Sequence, residues 1–272
     1  MIDYLILGGG SAGCVLAARL SEDPDKQVCL IEAGRDISLH TMPAEIRSRY
    51  PGRAYLDASN IWQRLTALMG QRAGATRRYE QARILGGGSA INALMTNRGA
   101  PADYDEWQAL GAEGWSWNTC LPYFRKLEND TDFCGPQDQA LHGRDGPVRI
   151  RRTPSERLSP FVKGVMKVLG GRGLEHKADQ TGLWEEGVFV GAIGASEQGE
   201  RIPTSVCYLT DEVRKRQNLT LRTRCVVDRV LIEAGRATGA RIIDSHGVVE
   251  SLRAREVIVC AGAIHSPAVL LR

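Results

Sequence analysis

The 272-residue sequence has no CxxC pair, no long apolar run and no block of like charge. Each gap removes a class of protein. The seven cysteines, Cys14, Cys29, Cys120, Cys134, Cys207, Cys225 and Cys260, are scattered and odd in number. That argues against a disulfide framework and against a structural zinc site. Several lie inside apolar runs, where a thiol behaves as a small hydrophobe. No stretch approaches the roughly 18 apolar residues of a membrane span. The N-terminus lacks the basic, apolar and cleavage-site succession of a signal peptide, so a cytoplasmic location is the expectation. The formal net charge is only +3. Basic pieces such as Arg77–Arg78 and residues 214–216 are short and carry no interleaved aromatics, which reads as solvated surface rather than a nucleic-acid or membrane-binding patch. Histidine is scarce: His40, His142, His176, His246 and His265 form no recognisable pair, and no metal site is expected.

What is present is ordinary in bulk and informative in pattern. A hydrophobic fraction of 43% with 25% charged residues suits a globular chain large enough for a proper core. The stretch "DYLILGGGSAGCVLAARLSEDPDKQVCLIEAG" opens with a short apolar strand over 4–7, as in a parallel sheet buried on both faces. Gly8, Gly10 and Gly13 follow in G-x-G-x-x-G spacing, then a helical pattern, then a second strand over 28–31 that ends at Glu32. Gly8 permits the tight turn, Gly10 lets the backbone approach a pyrophosphate, and Gly13 lets helix and strand pack closely. The helix N-terminus favours the phosphates, and an acid about 20 residues on is placed for a ribose hydroxyl. An acid at position 32 also disfavours a 2′-phosphate. The unit predicts dinucleotide binding in a Rossmann-like α/β domain, without deciding between FAD and NAD.

A second glycine run, Gly86–Gly87–Gly88, lies in "YEQARILGGGSAINALMTNRGAPADYDEWQALGAEGWSW". No clear apolar strand precedes it and no acid ends a following strand, so it is not a second Rossmann start. It reads as backbone pressed close to something, between flanks that look packed rather than disordered. The N-terminal unit, "ARILGGGSAIN", "RGAPADYDEW…GWSW…LPYFRKLE" and the terminal "GAIHSPAVLL" together resemble the glucose–methanol–choline (GMC) oxidoreductases, nearly end to end. The wording is most similar to bacterial oxidases of aryl and furan alcohols. The resemblance implies FAD in an extended conformation and oxidation of an alcohol by hydride transfer to the flavin, with a small-molecule alcohol as substrate.

Carried over residue by residue, the resemblance implies that Gly8, Gly10, Ser11, Ala12 and Gly13 form the pyrophosphate turn and that Glu32 and Ala33 meet the ribose and adenosine. Gly87, Gly88, Ser89, Asn92 and Ala93 would run along the flavin and its ribityl chain. Val227 would offer a backbone contact to adenine, and Ala261 and Gly262 would return to the cofactor. Ile91 stands where some members carry a histidine linked to the flavin, so the FAD is expected to be non-covalent. Thr96 and Ala93 depart from the residues many relatives have near the flavin, which bears on substrate preference.

Alcohol oxidation needs a base near neutral pKa beside the hydride acceptor. His265, just past Gly262, is the one histidine the motif puts near the cofactor. Its plainer role is a polar residue ahead of a helix cap at Ser266. No catalytic residue is assigned in this chain; the resemblance places the family's His–His or His–Asn pair in a C-terminal half beyond Arg272. "CAGAIHSPAVLLR" reads as a motif cut short, with Ser266 as N-cap and Pro267 as first helical residue of a helix of about one turn. The chain is therefore expected to be a truncated piece or one part of a split enzyme, inactive alone, with the missing half as its partner. The expected organisation is an FAD-binding domain with a cofactor-covering insertion over 1–143, a partial substrate-binding domain over 144–217, and a return to the FAD-binding domain over 218–272. Within these, strands are expected over 146–152, 188–193, 219–221, 226–232, 238–244, 248–252 and 257–260, and helices over 158–170 and 204–216. The late strands imply an antiparallel piece added to a parallel sheet. Two alternatives remain at this point. A nicotinamide-dependent dehydrogenase would have no use for "ARILGGGSAIN" and would be colourless. A non-catalytic nucleotide-binding module would be stable at this length.

Overall fold

The computed structural model describes residues 1–68, 70, 74–133 and 135–272. Cys134 lies outside them. The chain divides into two compact units, Met1–Ala93 with Arg201–Arg272, and Leu94–Glu200. No helix among the described residues is long and apolar enough to cross a membrane, and the described cysteines are free thiols.

The first unit is built on a six-stranded sheet. Among the described residues the strands are, in chain order, β1 (Ile2–Leu7), β2 (Val28–Ile31), β3 (Thr66–Leu68), β4 (Thr76–Arg78), β5 (Glu128–Asp130), β6 (Val148–Ile150), β7 (Leu219–Arg222), β8 (Val226–Glu233), β9 (Arg236–Ile243) and β10 (Val249–Val259). The large sheet runs β7-β2-β1-β10-β9-β8. β7, β2, β1 and the C-terminal half of β10 are parallel, and β9 and β8 add antiparallel partners. The mixed α/β architecture expected from the sequence is thus the one observed. Leu5, Leu7, Cys29, Ile31, Cys225, Ala240 and Ile242 form one buried cluster on this sheet. The intervening Ile6 and Leu30, on the opposite face, are buried as well, which explains why β1 and β2 are apolar at successive positions rather than alternating: both faces are covered.

The helix α1 (Ser11–Leu20) crosses from β1 to β2. The sheet order then makes a switch: from β1 the chain goes to β2 and β7 on one side and returns to β10 on the other. In open α/β sheets such a reversal leaves a crevice at the strand ends. Four segments deliver residues there: Gly8 after β1, Glu32 after β2, Val226 at the start of β8 and Cys260 after β10.

Several boundaries differ from the sequence expectation. The two strands expected over 248–252 and 257–260 are one, because β10 changes partner midway: Val249 to Arg253 pair with β9, and Ala254 to Val259 with β1. The polar residues between them sit on a continuous ladder, and pairing on either side overrides their low strand propensity. The helix expected over 204–216 is two short ones, Thr204–Cys207 and Asp211–Arg214, because Thr210 leaves the helix and its side chain caps the second by accepting from Val213 N. No strand forms over 188–193, where only isolated bridges occur at Val188 and Ile193; the intervening Gly191 weakens β pairing. The expected 146–152 strand contracts to β6, and the 158–170 helix is observed as Pro160–Gly170, capped by Ser159. The final helix is Gly262–Leu270, not a turn begun at Ser266. Gly262, at φ +78°, turns the chain straight out of β10, and Pro267 lies inside the helix.

The unit boundaries fall at 93/94 and 200/201, whereas the sequence suggested 143/144 and 217/218. Residues 94–143 group with the stretch up to 200 for two reasons. β5 pairs in parallel with β6, and a buried ionic network ties the segment together. In it Arg98 donates to Glu128 (Nε to Oε1, 2.9 Å), His142 Nε2 meets Asp179 Oδ2 at 2.8 Å, and Arg152 pairs with Asp130 at 2.6 Å.

Candidate functional site

A cleft of about 950 Å³ opens within the first unit, near the upper end of the usual range for small-molecule sites. Its walls bring together most of the cofactor-site and catalytic candidates read from the sequence: Gly8, Gly10, Ser11, Ala12, Glu32, Ala33, Gly87, Gly88, Ile91, Asn92, Val227, Ala261, Gly262 and His265. Gly13, Ser89 and Ala93 are not on the wall.

The glycine turn is shaped by what surrounds it. Gly8 has φ +112°, and a Cβ there would lie 2.5 Å from Cys260 O. A Cβ on Gly13 would fall 2.0 Å from Gly8 O, so Gly13 serves the packing of helix against strand. Gly10 differs from both: an added Cβ meets nothing closer than Cys260 O at 4.0 Å. Its open side is the cleft side, which is the arrangement a closely approaching ligand needs. Gly10 also stands as N-cap of α1, whose first turn carries no acidic residue and no side-chain cap. The free amides of that turn, with the helix dipole, favour an anion.

The second glycine run is pressed against the first. Gly86 N donates to Gly9 O at 2.7 Å, and a Cβ on Gly87, whose φ is +52°, would strike Gly10 Cα at 2.6 Å. Position 87 therefore admits only glycine, whereas a Cβ on Gly10 would point away from this contact. The run therefore continues the cleft wall as a turn into a single helical turn, Gly88–Ile91. Ser89 does not offer its hydroxyl to the cleft. It donates to Gly86 O at 2.6 Å and accepts from Thr204 N at 3.0 Å, fastening the loop internally. Ile91 and Ala90 sink into a second apolar cluster with Ile46, Ile61 and Ile84.

Glu32 is buried on the wall and already engaged. Its Oε2 accepts from Gly9 N at 2.9 Å and its Oε1 from Gly34 N at 2.7 Å. Burial pushes its pKa up from the ordinary carboxylate value, while the Gly34 and Gly9 amides and Arg83 pull it back. The carboxylate thus braces the glycine turn, and each oxygen keeps a further lone pair. This bracing role was not visible in the sequence, where only the distance from the glycines could be read.

His265 lines the cleft with its ring 4.4 Å from that of Trp62, which carries the Arg83 guanidinium 4.8 Å from its centroid. No hydrogen bond orients the imidazole among the described residues, and its Nε2 is buried without a partner. Burial, aided by the Arg272 charge, holds its pKa below the usual histidine value. A base of the general acid–base type is held by an orienting partner; His265 has none. Trp62, Gln81 and Arg272 are wall residues that sequence reasoning missed, since no motif marks them. Arg272 reaches back to the carbonyls of Val227 and Asp228.

The residues present fit an extended dinucleotide: an open glycine cradle at a helix N-terminus, a braced acid at the end of β2, and a second glycine loop continuing the wall. Comparison with known proteins agrees. Residues 2–272 match the sequence profile of the GMC oxidoreductases. The chain is 42% identical to the 5-(hydroxymethyl)furfural oxidase of Methylovorus sp. (strain MP688) over 278 residues, covering 100% of this chain and 51% of that one. It superposes on pyridoxine 4-oxidase from Mesorbium loti with a TM-score of 0.89 at 31% identity, covering 99% and 51% of the two chains. The FAD-dependent oxidoreductase from Chaetomium thermophilum gives 0.85 at 28%, covering 99% and 47%. The chain spans about half the length of the curated relatives it matches.

Proposed function

Because this chain belongs to the GMC oxidoreductase family, we propose that its cleft binds FAD without a covalent link and serves an enzyme that oxidises a small alcohol. The observation that carries this is the contact of Gly87 with Gly10, which joins the two glycine turns into one wall of one cleft. In this reading the free amides of α1 and the turn at Gly10 hold the pyrophosphate. The unused lone pairs of Glu32 accept from the ribose, and the backbone at Ala33 and Val227 meets the adenosine. Ala261 and Gly262 close the wall from the end of β10. Gly87, Gly88 and Asn92 line the flavin portion, with Ile91 unable to form a covalent link. FAD, when bound, supplies the hydride acceptor.

His265 is not given the proton-accepting role, because no hydrogen bond among the described residues orients its imidazole. That role falls instead to further polypeptide of the kind the longer relatives carry. The substrate class, primary alcohols of furanic or benzylic type, rests on the similarity to the furfural oxidase.

The test is cofactor retention. The chain mixed with FAD and gel-filtered should elute yellow, and acid precipitation should leave all of the colour in the supernatant. Gly10→Val should elute colourless yet folded, since a Cβ there meets nothing closer than Cys260 O at 4.0 Å and Gly10 lines the cleft. Equal FAD retention by both proteins would overturn the assignment of this cleft, and so would a colourless wild type.

A further inference from the structure

The loop 86–92 is held from behind by one side chain that no motif singled out. Arg201 is only 1% exposed. Its Nε donates to Ile46 O at 3.1 Å, its Nη1 to Ser89 O at 3.1 Å and Asn92 Oδ1 at 2.9 Å, and its Nη2 to Asn92 O at 2.6 Å. Every acceptor is neutral. Among the described residues no carboxylate pairs with it.

That is unusual even within this chain. The buried Arg98 and Arg152 each hold a carboxylate, Glu128 and Asp130. A guanidinium taken out of water without an anion bears most of its desolvation cost, which carbonyl dipoles offset only partly. Burial accordingly draws Arg201 down to about 10, still charged at neutral pH. Fastening a loop does not by itself call for an unpaired charge. The charge, however, lies one residue behind the cleft, since Asn92, Gly87 and Gly88 line the wall. In a site of low dielectric a fixed charge at that range acts on whatever the wall holds.

We propose that Arg201 is a positioning residue with an electrostatic role: it pins the loop 86–92 and gives the flavin portion of the cleft a net positive charge that favours the reduced, more negative cofactor. The inference rests on the FAD reading above. Charge placed beside a flavin is one of the means by which a protein tunes its electronics.

Three forms of the full chain test it: wild type, Arg201→Gln and Arg201→Lys. Hydrogen exchange of amides 86–92 without cofactor reads the pinning, and the two-electron potential of bound FAD, by equilibration with a reference dye, reads the charge. Arg201→Gln should lose at least about tenfold in loop protection. It should also lower the potential by about 30 mV or more, a tenfold shift of the oxidised–reduced equilibrium. Arg201→Lys keeps the charge and lacks the planar fork, so it should lose loop protection while staying near the wild-type potential. That split is one a purely structural role would not produce. An unchanged potential in Arg201→Gln, or an equal fall in Arg201→Lys, would overturn the electrostatic role, and unchanged protection would overturn the pinning. Where Arg201→Gln does not fold, Arg201→Met replaces it as the neutral variant, and the same falls in loop protection and potential, set against Arg201→Lys, support or overturn the two roles. Failure of the wild type to retain FAD would instead defeat the cofactor assignment, and the exchange data on the free chain would still judge the pinning.

Discussion

Gly10 and Gly13 are equivalent letters of one motif, yet their surroundings differ. The space beside Gly10 is cleft; the space beside Gly13 is filled by the carbonyl of Gly8 and by Leu30. A side chain at position 10 therefore competes with a ligand, and one at position 13 competes with the fold. Gly13→Ala should lower stability by about 1–3 kcal/mol, the usual range for overpacking a tight site, read as a lower urea midpoint with unchanged slope. Equal midpoints for variant and wild type would show that helix and strand can separate without loss. At this scale most of the site was legible, because a glycine motif encodes backbone geometry directly. Glu32 was found for the right reason of position, but its bonds to Gly9 and Gly34 depend on side-chain direction. Arg201 was invisible: it reaches a loop more than a hundred residues earlier in the chain, and nothing local in "GERIPTS" marks it.

Among the elements, apolar strands with turn residues between them were read well, and segments whose state depends on distant partners were not. β1, α1 and β2 follow from periodicity and the glycine turn. The sequence pattern divides β10 in two because Arg253, Arg255 and Glu256 interrupt its apolar run; the ladder to β1 and β9 carries it through. The start of the last helix was misplaced because a Ser-Pro pair imitates a helix beginning, whereas the turn at Gly262 sets it earlier. The β8–β9 hairpin offers a test of local chemistry. Its turn puts Ala234 at φ +49° and Gly235 at φ +76°. Two left-handed residues in succession make the tight turn that Asn-Gly suits best, and alanine in that conformation costs roughly 1–2 kcal/mol. Ala234→Asn should therefore stabilise the chain by about 0.5–1 kcal/mol, as the same conformational penalty is reduced. A denaturation midpoint at or below that of wild type would show that the strain is relieved some other way.

Across the whole molecule, the two units handle buried charge differently, and this sets how stability responds to pH. The unit Leu94–Glu200 pairs its charges. His142, 4% exposed, has Nε2 2.8 Å from Asp179 Oδ2, and its Nδ1 lies 3.4 Å from Glu128 Oε2 and 3.5 Å from Asp130 Oδ2. Phe133 stacks on its ring, and the acids Glu128 and Asp130 are themselves bound by the Arg98 and Arg152 guanidinium groups. Burial alone would lower the His142 pKa, but the bond to Asp179 and the nearby Glu128 carboxylate outweigh it and push the imidazole up to about 9. A base whose folded pKa exceeds its unfolded value of about 6.5 contributes stability that is complete below the lower figure and is lost as pH rises through the higher one. Glu128 and Asp179 run the other way. Burial would raise both, yet His142 and the arginines hold them below the ordinary carboxylate values, so their contribution is present above those values and fades as pH falls through the folded ones. Full stability therefore ends on the alkaline side near the unfolded value of about 6.5, and the His142 contribution is gone once pH has passed about 9. Thermal melts of wild type from about pH 6 to about pH 10 should fall progressively above neutrality. His142→Gln, uncharged throughout, should melt lower at neutral pH and lack that share of the alkaline decline, so that the two curves converge as pH rises past about 9. Parallel curves, separated by the same interval at every pH, would mean that His142 contributes packing beside Phe133 and no charge.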